Sequence, residues 1–235
     1  VGYHAALFLS QHDGCLFTHV LERGGAIVDP NGIDIAALHE HMVETDSIEG
    51  YPGWVDSGAE MLEAEADILI PAAMEGVIDE ANASRIQVPL IIEAANGPIT
   101  AGGDAILRNS GVVIIPDFCA NAGGVTVSYF EWIKNLTHIR FGRMQRRQQE
   151  RQFESLISGV ESMTGKHFPE TDRSAVLSGA TEINLVRSGL EDTMRGAYSA
   201  ISKTWNDKDN VPDLRTAAMM IAVERIAHSY ISIGI

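Results

Sequence analysis

Two asparagines stand just past the ends of short apolar runs. Asn96 follows Leu90-Ile-Ile-Glu-Ala94, and Asn121 follows Val112-Val-Ile-Ile-Pro116-Asp117. Each amide offers both a donor and an acceptor, which suits a carboxamide or a carboxylate. A turn-forming Asn96-Gly97-Pro98 explains the first asparagine equally well, but not the recurrence at the next run. Asn121 opens the stretch Ala-Gly-Gly-Val-Thr-Val-Ser128. Its glycines let backbone approach a ligand closely, and free N–H groups at a helix start favour an anion. Ser128 places a hydroxyl within reach of a bound carboxylate; the alternative is a helix serine bonded back to its own turn. Ala72 and Ala73 follow Asp67-Ile-Leu-Ile70-Pro71. Such small residues at a strand end leave room for a ligand lying flat, or allow close strand–helix packing.

These residues need a scaffold that brings strand ends together. Asp67–Ile70, Leu90–Ala94 and Val112–Ile115 read as buried parallel strands. Open α/β sheets bind ligands at the carboxyl ends of such strands. Val1–His12 reads as a helix capped at Gly14, and Cys15–Val20 as a strand with Glu22 at its end. That pairing fits the second strand of a dinucleotide fold whose first strand is missing. In such a fold the last glycine of the phosphate fingerprint packs the helix on the sheet. An acid roughly 20 residues on takes the ribose hydroxyls. Gly2 and Glu22 fit those two roles.

The remaining elements follow from caps and periodicity. Ala26–Gly32 reads as a turn, and Asp34 caps a helix running to about Thr45. His39 and His41 on it lie two apart, on different faces, and read as solvated. Residues 47–58 read as loop, 75–85 as a short polar helix or turn, and Thr100–Asn109 as a helix. A further helix starts near Val125, with Val125, Tyr129, Trp132 and Ile133 on one face. Phe153, Leu156, Ile157, Val160 and Met163 form another apolar stripe ending at Gly165, and Lys166–Gly179 reads as its irregular return. Thr181–Trp205 is one long amphipathic helix. After a polar break, Pro212 and Asp213 start the last helix. The domains expected are 1–143, nucleotide-binding; 144–180, the helical excursion and its return; and 181–235, the final two helices.

Composition narrows the function. The 235 residues carry a net charge of −15, which argues against nucleic acid or an anionic membrane as partner. The arginines at 140, 143, 146, 147 and 151 lack aromatic interleaving and read as a solvated helix start. Cys15 and Cys119 are too few for a disulfide framework, which points to a reducing compartment. Both read as buried free thiols. No run is long enough to span a membrane, and no residue cluster has metal-ligand spacing. The chain opens without Met, in mid-helix, so its true N-terminus is expected elsewhere.

Asn121-Ala-Gly-Gly-Val-Thr-Val-Ser-Tyr-Phe-Glu-Trp132 resembles the signature of hexameric glutamate dehydrogenases. Asp67-Ile-Leu-Ile-Pro-Ala-Ala73, Glu93-Ala-Ala-Asn-Gly-Pro98 and Asp213-Leu-Arg-Thr-Ala-Ala218 resemble that family in its order and spacing. Ala94 stands where the family usually has Gly, and the N-terminal substrate domain is absent. The resemblance implies a Rossmann-like, doubly wound parallel sheet, then an antenna-like helical excursion and C-terminal helices. It implies NAD as cofactor, with NADP possible, at Gly2, Glu22, Ala72, Asn96 and Asn121. It implies L-glutamate and 2-oxoglutarate as substrates, with Ser128 on a substrate carboxylate. The acid/base lysine and aspartate belong to the absent domain, so no catalytic residue is assigned. A homo-hexamer is implied, cytoplasmic in a bacterium or mitochondrial in a eukaryote. A branched-chain or aromatic amino-acid dehydrogenase is a rival within the same fold. A non-catalytic nucleotide-binding or assembly module is the rival from another class.

Overall fold

The structure is a computed structural model that describes residues 1–56, 58, 60–137, 143–169, 172–173, 176 and 182–234. It divides into two units, Val1–Asn121 with Ala200–Ile235, and Ala122–Ser199.

The first unit holds a three-stranded parallel sheet of β4 (Ile68–Leu69), β5 (Leu90–Ile92) and β6 (Val113–Ile115), in that order. The β-branched runs make these strands, which suit a pleated surface; Ile91 and Ile114 are buried, whereas Ile68 on β4 is exposed. Helix α3 (Ala101–Asn109) makes the crossover from β5 to β6. Thr100 caps it by accepting from the Gly103 N–H. Ile78, Ile91, Leu107 and Ile114 form the core between sheet and helix.

A second sheet precedes it. β1 (His19–Glu22), β2 (Gly25–Val28) and β3 (Trp54–Val55) run antiparallel. This corrects two expectations. Cys15–Val20, read as the second strand of a dinucleotide fold, contributes instead to β1 at His19–Glu22, hairpinned antiparallel to β2, and part of 26–32, read as a turn, is β2. Arg23-Gly24 supplies the two-residue connection, and Ala26-Ile27-Val28 supplies the partner strand. The turn signal at Asn31-Gly32 is real but sits past the strand. Gly25 is required for the β2–β3 approach, since a Cβ there would overlap the Trp54 ring.

Helix α1 (Gly2–His12) and helix α2 (Ile35–Thr45) pack on this sheet through Ala6, Ile27, Ile33, Ile35 and Leu38. Asp34 caps α2 by accepting from the Ala36 and Ala37 N–H groups, both at 3.0 Å. The histidines on α2 are partly exposed and also make contacts: His39 stacks on Tyr3 with ring centroids 3.7 Å apart. His41 Nε2 lies 2.9 Å from the Glu49 carbonyl. The last helix, Leu214–Ser232, completes the unit. Leu214, Ala217 and Ala218 pack with Ile201, Trp205 and Val113.

The second unit is helical. Helix α4 (Asp117–Ala120) lies in the first unit, and α5 (Ala122–Thr137) begins directly after Asn121. The glycines at 123 and 124 are therefore helical and not a free turn. Phe130 on α5 packs over Gly189 of the long helix Glu182–Asp207, and Lys134 pairs with Glu182. Helix α6 (Arg143–Thr164) stops at Gly165, whose φ of +66° suits glycine. Glu161 holds the return: its Oε1 accepts from the Phe168 N–H at 2.9 Å and lies 3.4 Å from Arg173 Nη1. These donors keep its carboxyl below the usual carboxylate range. Much of the return read as loop, 166–179, and the arginine at 140 lie outside the described residues.

Candidate functional site: a rim at the strand ends

Three chain segments leave the carboxyl ends of β4, β5 and β6, and hydrogen bonds join them into one rim. The Pro71 carbonyl accepts from both the Ala94 and Ala95 N–H groups, at 3.0 and 2.8 Å. The Glu93 N–H donates to the Ile115 carbonyl at 3.1 Å, and the Gly76 N–H to the Gly97 carbonyl at 2.9 Å.

The rim brings Asn96 and Asn121 into contact. Asn121 Nδ2 donates to Asn96 Oδ1 at 2.7 Å. That bond leaves Asn121 Oδ1 as an acceptor and Asn96 Nδ2 as a donor. Neither has another side-chain partner among the described residues. A primary carboxamide presents the complementary pair. Gly97 follows with φ +53° and open space where a Cβ would point, so nothing crowds the loop crest.

Gly2 and Ala72 also meet. A Cβ on Gly2 would lie 3.5 Å from the Ala72 Cβ. This is ordinary contact, so glycine is not compulsory there. The α1 amides start against the end of β4, and Val1 offers them no side-chain cap. An uncapped helix start is a place for an anion.

Two predicted residues stand outside this contact set. Glu22 ends β1 in the antiparallel sheet, exposed, with no side-chain partner among the described residues. Ser128 lies on α5 in the second unit, exposed, and its hydroxyl donates to the Gly124 carbonyl at 3.0 Å. A carboxylate would have to draw that proton away.

Sequence reasoning missed the charges beneath the rim. Glu93 is 1% exposed, and its Oε2 accepts from the Asp117 N–H and from Arg215 Nη2, both at 2.8 Å. Arg215 Nε lies 3.4 Å from Asp104 Oδ1, and Nη1 lies 3.6 Å from Asp117 Oδ1. Asp117 Oδ2 in turn accepts from the Gly97 N–H at 2.9 Å. Arg108 links Asp104 to Asp213, the cap of the last helix. Burial pushes the Glu93 carboxyl above its ordinary value despite the guanidinium beside it. Burial pulls Arg215 down, but Glu93, Asp104 and Asp117 more than compensate and leave it raised. The available signal was a charged residue closing the apolar run Leu90-Ile-Ile, since a sealed charge needs a partner.

Cys119 is a half-buried free thiol pushed up by burial, and Cys15 is likewise half-buried. Among the described residues there is no cluster able to hold a metal ion. No described helix is long and apolar enough to cross a membrane. A pocket of about 190 Å³ lies by Gly111, Val112 and Val113 at the amino end of β6, with Trp205 and Pro212. Asp104, Arg108 and Arg215 also line it, so it reaches the charge network beneath the rim from the other end of the strand.

The unit belongs to the α/β class with an open parallel sheet, in which ligands bind at the carboxyl ends of the strands, where Asn96 and Asn121 stand. Residues 1–183 match the Glutamate/Leucine/Phenylalanine/Valine dehydrogenase family, and the chain belongs to it. The chain is 47% identical over 229 residues to a probable glutamate dehydrogenase of Sinorhizobium fredii, covering 97% of this chain and 52% of that protein. It is 46% identical to the mitochondrial glutamate dehydrogenase of Dictyostelium discoideum, covering 100% of this chain and 46% of that protein. It thus spans about half the length of these curated relatives. The hetero-hexameric glutamate dehydrogenase of Thermus thermophilus, in its Leu-bound form, superposes with a TM-score of 0.73 at 22% identity, over 100% of this chain and 45% of that one. That likeness shows the fold.

Proposed function

We propose that this chain is the cofactor-binding part of an enzyme that oxidatively deaminates L-glutamate to 2-oxoglutarate and ammonia. The observation that carries the reading is the Asn121–Asn96 bond at the strand-end rim. The cofactor is NAD, with NADP the alternative, and its nicotinamide supplies the acceptor for the substrate hydride. The donor set fits such a group: a free amide donor and acceptor suit a carboxamide, and the uncapped α1 start suits a diphosphate. Asn96 and Asn121 orient the carboxamide. Gly2 and Ala72 keep the path beside β4 narrow and unobstructed. Glu22 accepts from ribose hydroxyls and repels a 2′-phosphate, although Arg23 beside it favours one. Ser128 supplies a neutral donor to a substrate carboxylate. Groups that move protons at the α-carbon are assigned to the other half of the protein.

The assembly is a homo-hexamer in which copies of α6 meet. Phe153, Leu156, Val160 and Met163 are all exposed, Met163 at 89%, and such a stripe calls for cover. Deleting residues 146–179 across a short linker should alter oligomer mass or effector response more than cofactor binding. Unchanged mass, stability and response would refute that role. The compartment is the cytoplasm in a bacterium or the mitochondrial matrix in a eukaryote. Nucleic acid and membrane are not partners.

The direct experiment is an assay of the full-length protein. Reduction of NAD should follow glutamate and be much weaker with leucine, valine or phenylalanine. Preference for an apolar amino acid would move the protein to another branch of the family. Residues 1–235 alone should show no turnover.

A further inference from the structure

We propose that Arg215 is a positioning residue for the rim, acting through Glu93 and Asp117; this rests on the reading of the rim as a cofactor site. The chain of contacts is continuous. Asn96 and Gly97 form an exposed loop crest with open space where a Gly97 Cβ would point, and the Gly97 carbonyl accepts from the Gly76 N–H at 2.9 Å. The Asp117 side chain pins it by accepting from the Gly97 N–H at 2.9 Å. Asp117 is also the residue from which helix α4 leads to Asn121. Its own backbone N–H is held by Glu93, just three positions before Asn96. One carboxylate and one aspartate therefore tie both asparagine-bearing segments together.

Neither acid holds its place unaided. Glu93 is sealed, with Oε1 lacking any hydrogen-bond partner among the described residues. Arg215 reaches in from the last helix and touches Glu93, Asp104 and Asp117 with three different nitrogens. A guanidinium fork can do this at once, whereas an ammonium is a single point charge. The helix is fixed in turn by Arg108, which bonds Asp104 at 2.6 Å and Asp213 at 2.8 Å. The last helix thus sets the spacing of Asn96 and Asn121 through Glu93 and Asp117.

The test uses the full-length enzyme and NADH as probe, read by fluorescence titration, with steady-state kinetics and melting in parallel. Arg215→Lys should raise the NADH Kd by about 10-fold or more, as expected when supporting groups stop fixing a site. The KM for NAD should rise with it, while the KM for glutamate stays within about twofold. Glu93→Gln keeps a single oxygen for both contacts and should lose several-fold less affinity than Glu93→Ala. Should Arg215→Lys fail to fold, Asp117→Asn carries the test. It weakens the Arg215 contact within the same shape and should raise the NADH Kd by about threefold. Wild-type NADH affinity in the folded Arg215→Lys or Asp117→Asn protein overturns the proposal. So does a parallel rise in NADH Kd and glutamate KM with a lowered melting temperature, which marks a purely structural role. Asn121→Ala separates the two readings. If it weakens NADH binding while Arg215→Lys does not, the rim stands and the positioning role falls; if neither does, both fall.

Discussion

The strand-end rim and helix α6 satisfy their side chains in opposite ways. At the rim almost every polar group is answered from within the chain. Glu93 takes two bonds, Asp117 reaches Gly97, and Arg215 reaches three acids. On α6 the apolar stripe lies open, with Ile157 its buried member. The difference teaches where each region's requirement lies. The rim is organised by its own charges: Glu93 Oε1 and Asp104 Oδ1 stay unpartnered in its interior, and Asn121 Oδ1 and Asn96 Nδ2 are left for the ligand proposed above. Helix α6 instead presents exposed apolar surface, which the assembly proposed above would bury.

The largest effect should therefore come from breaking the rim's interior. Arg215→Ala leaves Glu93 buried beside nothing of opposite charge. It should destabilise the fold by about 3 kcal/mol, the lower end of the range for breaking a buried pair, because the guanidinium side chain is partly exposed. Denaturant unfolding checks this. Met163→Ser on α6 should change the stability of the dissociated chain by less than about 0.5 kcal/mol. If Met163→Ser costs as much as Arg215→Ala, the contrast between the regions fails.

A second effect concerns Ser128, whose hydroxyl now serves Gly124. A hydrogen bond to a charged group is worth roughly 1.5–3 kcal/mol. Ser128→Ala should lower kcat/KM for glutamate by about 10- to 150-fold. NAD affinity should hardly change, and norvaline, lacking the distal carboxylate, should suffer much less. Equal losses on both amino acids would leave Ser128 as a helix residue bonded to its own turn.

The smallest effect sharpens the account of Glu93. Burial holds its carboxyl above the ordinary 4.5. In the window between 4.5 and that raised value the folded chain keeps a proton that the unfolded chain releases. The stabilisation is complete below the window and is lost as pH rises through the folded pKa. Glu93→Gln should flatten this decline in a stability–pH profile. An unchanged profile would show that another group produces it.

Much of the rim could be read from residues alone, because its markers are local. A β-branched run closed by proline, alanine or asparagine announces a buried strand and an end that turns. The cap at Asp34 was legible for the same reason: it is a short side chain bonding its own first turn. What stayed hidden depends on residues far apart. Arg215 meets Glu93 across 122 positions, and no periodicity encodes that meeting. The β1–β2 hairpin was missed because the Asp29–Gly32 turn signal drew attention past the strand just before it. The apolar faces were recognised as stripes, yet Val125, Tyr129 and Trp132 are exposed. Periodicity tells that a face is apolar, not what covers it.

The central claim is that Asn96 and Asn121 together hold a nicotinamide cofactor. Its most direct test is NADH titration of the full-length protein and of Asn121→Ala, followed by fluorescence, with glutamate binding measured alongside. The account predicts an NADH Kd raised by about 10-fold or more, from one lost amide partner and a disordered second, with glutamate affinity nearly unchanged. Wild-type NADH affinity in a folded Asn121→Ala protein would contradict it.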